Sequence, residues 1–411
     1  MKSNAKYMYI IILFYMLLFQ NLIESFFPLF TLFDEFVALH AIPLWAMELR
    51  SNDYKIRISK NNYGLYVLIL LTLGIIGNVV FSYQPFFLAA LPDAFINTQF
   101  WLTIYIGIKI SNHFELEKYS EKIFFHVKLI TWSFFLLTVM DYTFHLFRAS
   151  SRYGLRAIQL FYSHPTFFAS ACILLIIILL MISKDVNGTT KYIVLLSFLA
   201  ASSLRSKAFG TILALAFILY FVYFERKKIS LRAILFLGAL TVAVGWERIY
   251  WFFFSDIQVD SARYQLLVTS ISIANDHFPL GAGFATFASH FSGRYYSPLY
   301  AMYGIAHISG LREGATWFIS DSFWPMIIGQ LGWIGLIVYI LLLMIIFNKI
   351  QKLRSINITY YGAGLFIWIS MLVKSTAESA FVHPYSTGYA LCLGYVLGCV
   401  YKRRLSLNQR E

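Results

Sequence analysis

The chain has 411 residues, of which 59% are hydrophobic and only 13% charged, with a net charge of +13. Soluble domains carry about 25% charged residues, so an ordinary water-soluble globular protein is excluded. The basic excess lies mostly in short segments between apolar runs, where it marks orientation rather than nucleic-acid binding.

In chain order, the apolar runs predict about twelve membrane spans. They are Tyr7–Ile23, Phe26–Met47, Tyr63–Phe81, Phe86–Ile110, Ile123–Phe147, Pro165–Ile182, Tyr192–Leu204, Phe209–Phe224, Ala233–Tyr250, Ser322–Phe347, Ile358–Ser375 and Tyr385–Tyr401. The runs are continuous, not alternating, which predicts an all-α integral membrane protein rather than a barrel. The first run lacks a small-residue cleavage site and reads as a span. Cys172, Cys392 and Cys399 all fall inside apolar runs, with neither a disulfide framework nor metal spacing.

The positive-inside rule orients the spans. With a cytoplasmic N-terminus, 22 of the 33 basic residues fall inside, among them Arg50, Lys55, Arg57 and Lys60, the run Arg226 to Arg232, and the C-terminal Lys402 to Arg404. An even span number returns the C-terminus to the same side. Lys128 lies within a span. Arg148, Arg152, Arg156, Arg205, Lys207, Arg248, Arg263, Arg294, Arg312 and Lys374 fall at or near the outer face, against the bias. Outer carboxylates such as Asp256, Asp260, Asp276, Glu313, Asp321 and Glu378 offer ion-pair partners. As a set, mostly Arg and at membrane depth, the ten point to an anionic ligand.

Three outer stretches carry the charge. Arg148, Arg152 and Arg156 recur every four residues, which places them on one face of a helical turn, suited to phospholipid headgroups or a pyrophosphate. Ser202-Ser203-Leu204-Arg205-Ser206-Lys207 joins two spans with almost no loop, so Arg205 and Lys207 sit at the outer interface or dip into the bundle. The third stretch is a large extracytoplasmic loop, residues 251–321, within a single membrane domain, residues 1–411. It begins with an amphipathic helix from Ser261 to about Asp276, where Arg263, Leu266, Leu267, Ser270 and Ala274 recur at helical spacing. Pro279-Leu280-Gly281-Ala282-Gly283 then makes a tight turn and lacks the spacing of a dinucleotide site. His277, His290 and His307 are too widely spaced to suggest a metal site, and no GxSxG elbow supports a hydrolase.

Arg263, the Pro279–Gly283 turn with Phe287, the polar loop, and Gly329-Gln330-Leu331-Gly332-Trp333-Ile334-Gly335 entering a span together resemble the O-antigen ligase and polysaccharide polymerase superfamily. Ser203-Leu204-Arg205 resembles that family's Ser-x-Arg corner. The resemblance implies a GT-C-like, membrane-embedded glycosyltransferase. It implies a donor glycan on undecaprenyl pyrophosphate at the outer face of the bacterial inner membrane, with no nucleotide sugar, no metal and no other cofactor. Arg205 and Arg263 match positions held to bind the pyrophosphate, with Arg148, Arg152 and Arg156 as further candidates. Ligases of the family carry a His-Asn pair before the span that follows the loop. Here Ser320-Asp321-Ser322 stands there, which favours the Wzy-type polymerase branch. Asp321 is the first candidate for the catalytic base and His307 the second. The expected partners are the lipid-linked glycan, membrane lipids, a chain-length regulator and a flippase, and not nucleic acid. An O-antigen ligase acting on lipid A core is the near alternative. A transporter or flippase is the alternative from another class.

Overall fold

The computed structural model describes residues 3–51, 62–184, 186–244, 246, 250, 251, 254 and 261–408. Lys2, Lys55, Arg57, Lys60, Arg248, Asp256, Asp260 and Arg410 lie outside the described residues. The chain is mostly helical, at 74%, and among the described residues the strands form one short hairpin. In chain order the helices are α1 (Ser3–Leu18), α2 (Gln20–Glu24), α3 (Phe33–Leu39), α4 (Ala41–Ser51), α5 (Tyr63–Phe81), α6 (Leu91–His113) and α7 (Ser120–Phe144). The hairpin follows, with β1 (Ser150–Arg152) and β2 (Leu155–Ala157). Then come α8 (Pro165–Ile182), α9 (Thr189–Ala201), α10 (Ser206–Ile218), α11 (Leu231–Val244), α12 (Ala262–Asp276), α13 (His290–Arg294), α14 (Leu299–Met302), α15 (Phe323–Leu353), α16 (Ile358–Ser375) and α17 (Ser386–Asn408).

Among the described residues, six helices are long and apolar enough to cross a membrane: Pro28–Glu48, Tyr63–Phe81, Leu116–Phe144, Pro165–Ile182, Ser206–Phe224 and Phe323–Leu353. Each coincides with a span expected from the sequence. Their outward faces carry Leu68, Val79, Val80, Phe125, Leu136 and Ile337, all exposed, an apolar surface that lipid would cover and water would penalise. The central helix is α8, with 89% of its apolar window buried against 22% to 44% in the other five.

Backbone-close packing holds the bundle together. A Cβ on Gly107 of α6 would meet Leu391 O, and one on Gly394 of α17 would meet Ile104 O. Small residues here let the two helices touch along their backbones. Helix α15 is interrupted at Gly332, where φ is 67° and ψ −170°. The interruption frees carbonyls, and the turn after α12 fills it: Ala282 N–H donates to Gly329 O at 3.0 Å and Gly283 N–H to Gln330 O at 2.9 Å. Residues 281–289 are all buried. Asn78 exchanges two 2.8 Å hydrogen bonds with the Phe284 backbone, and the buried Asp93 accepts from Ala285 N–H at 2.7 Å and Gln330 Nε2 at 3.0 Å. Irregular backbone inside a membrane bundle is tolerated where the protein satisfies it in this way. This part of the loop expected to lie outside is therefore packed into the bundle, between α5, α6 and α15.

Contacts sort the connecting segments into two ends of the bundle. At one end Lys6 Nζ donates to His113 O, Tyr360 Oη to Glu117, Arg354 Nη2 to Arg226 O and Leu116 N–H to Tyr395 Oη. At the other end Ser163 N–H donates to Asn21 Oδ1, Arg152 Nη1 to Leu204 O and Ser379 Oγ to Ser320 O. The first set joins segments expected inside, and the second joins segments expected outside.

Candidate anion site

The site lies at the second end and begins with the corner between α9 and α10. Ser203 is fully buried, and its Oγ donates to Ala200 O at 2.6 Å. Leu204 takes a left-handed φ of 54°, which is uncommon for a non-glycine residue, and this sharp turn delivers Arg205 to the start of α10. Arg205 is the N-cap residue but makes no side-chain cap hydrogen bond. The first N–H groups of α10 therefore present positive dipole at the site. Within the first turn of the helix, Lys207 pairs with the buried Glu378.

Glu378 joins the corner to the segment after α16. Burial alone would push its carboxyl up, but Lys207, His383 and Lys374 together hold it well below the usual carboxylate range. Tyr385 Oη donates to Glu378 Oε1 at 2.5 Å. Lys374, 1% exposed, donates to Ser170 Oγ at 2.7 Å and Tyr389 Oη at 3.0 Å, and its ammonium lies 4.0 Å from the centre of the Tyr385 ring. Neutral hydroxyls and aromatic faces surround it, an environment that offers an ammonium only dipole and cation–π attraction.

Arg263, in the first turn of α12, approaches from the other side. Its Nη2 donates to Ala377 O at 3.3 Å and lies 3.5 Å from Asp321 Oδ2. Burial pushes the Asp321 carboxyl above its ordinary value, against the pull of Arg263 and Lys207. Asp321 is not the cap of α15. That position is held by Ser322, which makes no side-chain cap hydrogen bond, so a second helix N-terminus opens beside the cluster. His164 stands at the edge, its imidazole pushed down by burial and by the nearby Arg205 and Lys207.

The structure thus brings Arg205, Arg263, Asp321 and Arg152 together and leaves the other candidates apart. Arg148, Arg152 and Arg156 do not share a helical face. Ser150–Arg152 and Leu155–Ala157 form a hairpin, with Tyr153 at φ 53° and Gly154 at φ 71°. Two positive φ values make the tight turn whose twist matches paired strands. Alternation then sends Arg152 and Arg156 to opposite faces of the ribbon. Arg156 is committed to the fully buried Asp141, with contacts of 2.9 and 3.2 Å. Arg148 is exposed. Arg152 reaches the corner through Leu204 O. His307 is exposed, and its carbonyl accepts from Arg312 Nε at 2.6 Å. The sequence places Lys207, Lys374 and Glu378 among the outer charges but does not reveal that they meet. The available signal was a lysine inside an apolar run with a glutamate four residues on.

Within this cluster the cations Arg152, Arg205, Lys207 and Arg263 outnumber the carboxylates Glu378 and Asp321. The excess is positive, partly buried, and flanked by two helix N-termini. That arrangement can hold a multiply charged anion such as a diphosphate.

No protein-family model and no curated protein sequence matches the chain.

Proposed function

We propose that the protein is a membrane glycosyltransferase that polymerises lipid-linked repeat units of a bacterial surface polysaccharide. The observation that carries this reading is the excess of cations over carboxylates at one end of an apolar helical bundle, combined with the resemblance of the Ser203-Leu204-Arg205 corner and the Arg263-to-Gly335 stretch. The donor is a glycan on undecaprenyl pyrophosphate. Arg205, Lys207 and Arg263 hold its diphosphate, aided by the N-termini of α10 and α15. The acceptor is a sugar hydroxyl of another lipid-linked unit. Its oxygen bonds to the anomeric carbon as the bond from that carbon to the phosphate oxygen breaks. The bonding electrons leave with undecaprenyl pyrophosphate, and the acceptor proton passes to Asp321. Cations fixed where leaving-group charge develops lower the barrier most. Asp321 is the better base because it adjoins Arg263, whereas His307 lies on the exposed part of the loop.

The matching topology has about twelve spans in a GT-C-like arrangement in the bacterial inner membrane, with both termini cytoplasmic and the anion cluster outside. Cysteine labelling of intact cells checks it. Arg294→Cys should react and Arg226→Cys should not, and the opposite pattern would invert the model. A transporter would need interrupted helices in matching halves around a shared cavity, whereas the break at Gly332 is filled by the backbone of Gly281 to Gly283.

Geranyl pyrophosphate tests the site directly as a short-chain probe. It should raise the melting temperature of the detergent-purified protein in proportion to its occupancy, while geraniol should not. Arg205→Ala should remove the shift. Equal shifts with geranyl pyrophosphate and geraniol would contradict the anion site.

A further inference from the structure

A cavity of about 220 Å³ opens beside the anion cluster and shares Ser170, Tyr385 and Tyr389 with it. Gln20, Asn21, Glu24 and Thr31 supply polar lining, from the α1–α2 corner onward. Leu18, Phe167, Ala171 and Leu174 supply apolar lining, and Tyr385, Tyr389 and Ser170 connect the lining to the cluster. Glu24 is held in a set orientation. Asn21 Oδ1 accepts from Ser163 N–H at 2.6 Å, which fixes the amide, and its Nδ2 then donates to Glu24 Oε1. Tyr385 belongs to both places: it lines the cavity and donates to Glu378, the partner of Lys207.

We infer that this cavity is the subsite for a neutral sugar ring of the acceptor chain. The inference rests on the polymerase reading for its biological role. The lining decides the ligand class. The carboxylate of Glu24 repels anions, so the cavity is not a second diphosphate site. Amide, hydroxyl and carboxylate groups interspersed with aliphatic and aromatic surface match a pyranose, which has hydroxyls on its rim and C–H groups on its faces. Oriented polar groups in an otherwise apolar pocket are the usual means of fixing a small ligand. The volume is many times the ~10–15 Å³ that a single water needs, so the cavity admits a ligand larger than one solvent molecule. Glu24 is a specificity-determining residue in this scheme. It accepts hydrogen bonds from two acceptor hydroxyls and takes no part in bond making.

The test uses the full chain purified in detergent and a panel of methyl glycosides of glucose, galactose, mannose, rhamnose and N-acetylglucosamine as probes, read by saturation-transfer NMR. At least one glycoside should receive saturation from the wild type. Ala171→Leu, which fills the cavity, and Glu24→Gln, which keeps its shape, should each weaken that binding at least tenfold. Arg205→Ala should leave it unchanged, and both cavity variants should keep the wild-type response to geranyl pyrophosphate. Glu24→Gln guards against misfolding, because it alters charge without altering volume. Saturation of no glycoside, or unchanged binding in both cavity variants, would overturn the inference. If geranyl pyrophosphate fails to bind while glycoside binding follows the cavity variants, the polymerase reading falls and the sugar subsite stands.

Discussion

Arg205→Ala and Arg205→Lys should each lower polymer output by about a hundredfold or more at equal protein level in the membrane. The size follows from removing one fixed charge partner of a leaving group, a loss that commonly costs 10² to 10³ in rate. Lysine should not rescue, because its ammonium is a point charge on a flexible stem, whereas guanidinium presents a planar fork suited to phosphate oxygens. The turn at Leu204, with its left-handed φ of 54°, sets the origin of that fork, so a side chain of different reach meets the diphosphate differently. Gel ladders of extracted polysaccharide measure the effect. Wild-type ladders from Arg205→Ala would remove Arg205 from the site.

Asp321→Asn should have a comparable effect for a different reason. A helix cap would survive this change, since asparagine caps as well as aspartate, but Ser322 holds the N-cap position of α15. The Asp321 carboxylate instead faces Arg263 at 3.5 Å. Replacing it by an amide removes the proton acceptor and a charge, and a lost general base usually costs 10² to 10⁴ in rate. Burial raises the carboxyl above its ordinary value. The working form is the deprotonated one, so activity should climb with pH through that raised value and fall on the acid side. His307→Gln should leave output near wild type. If His307→Gln abolishes polymer and Asp321→Asn does not, the base is His307 and the ligase reading gains.

Local pattern made the helices, and which connecting segments gather at the same end of the bundle, legible. The helix at Ala262–Asp276 was readable because apolar residues recur at helical spacing, and the tight corner at Arg205 because two apolar runs nearly touch. The hairpin was not, because a positive φ at Tyr153 leaves no trace in residue type, unlike the Asn-Gly or Asp-Gly pairs that announce such turns. Spacing of four then suggested a helix by default. The Lys207–Glu378 pair joins residues 171 positions apart, and no periodicity reports such a contact. The Gly281-Ala282-Gly283 turn and the Gly329-to-Gly332 stretch were both visible as motifs. That one fills the break in the other depends on backbone hydrogen bonds between distant residues, which residue type does not encode.

The most direct measurement is the lipid-linked glycan profile of a strain lacking this protein. Undecaprenyl pyrophosphate carrying single, unextended repeat units should accumulate, and long polymer should vanish until the wild-type chain is restored. Long polymer still attached to undecaprenyl pyrophosphate would instead mark a ligase, and an unchanged profile would contradict a role in glycan transfer.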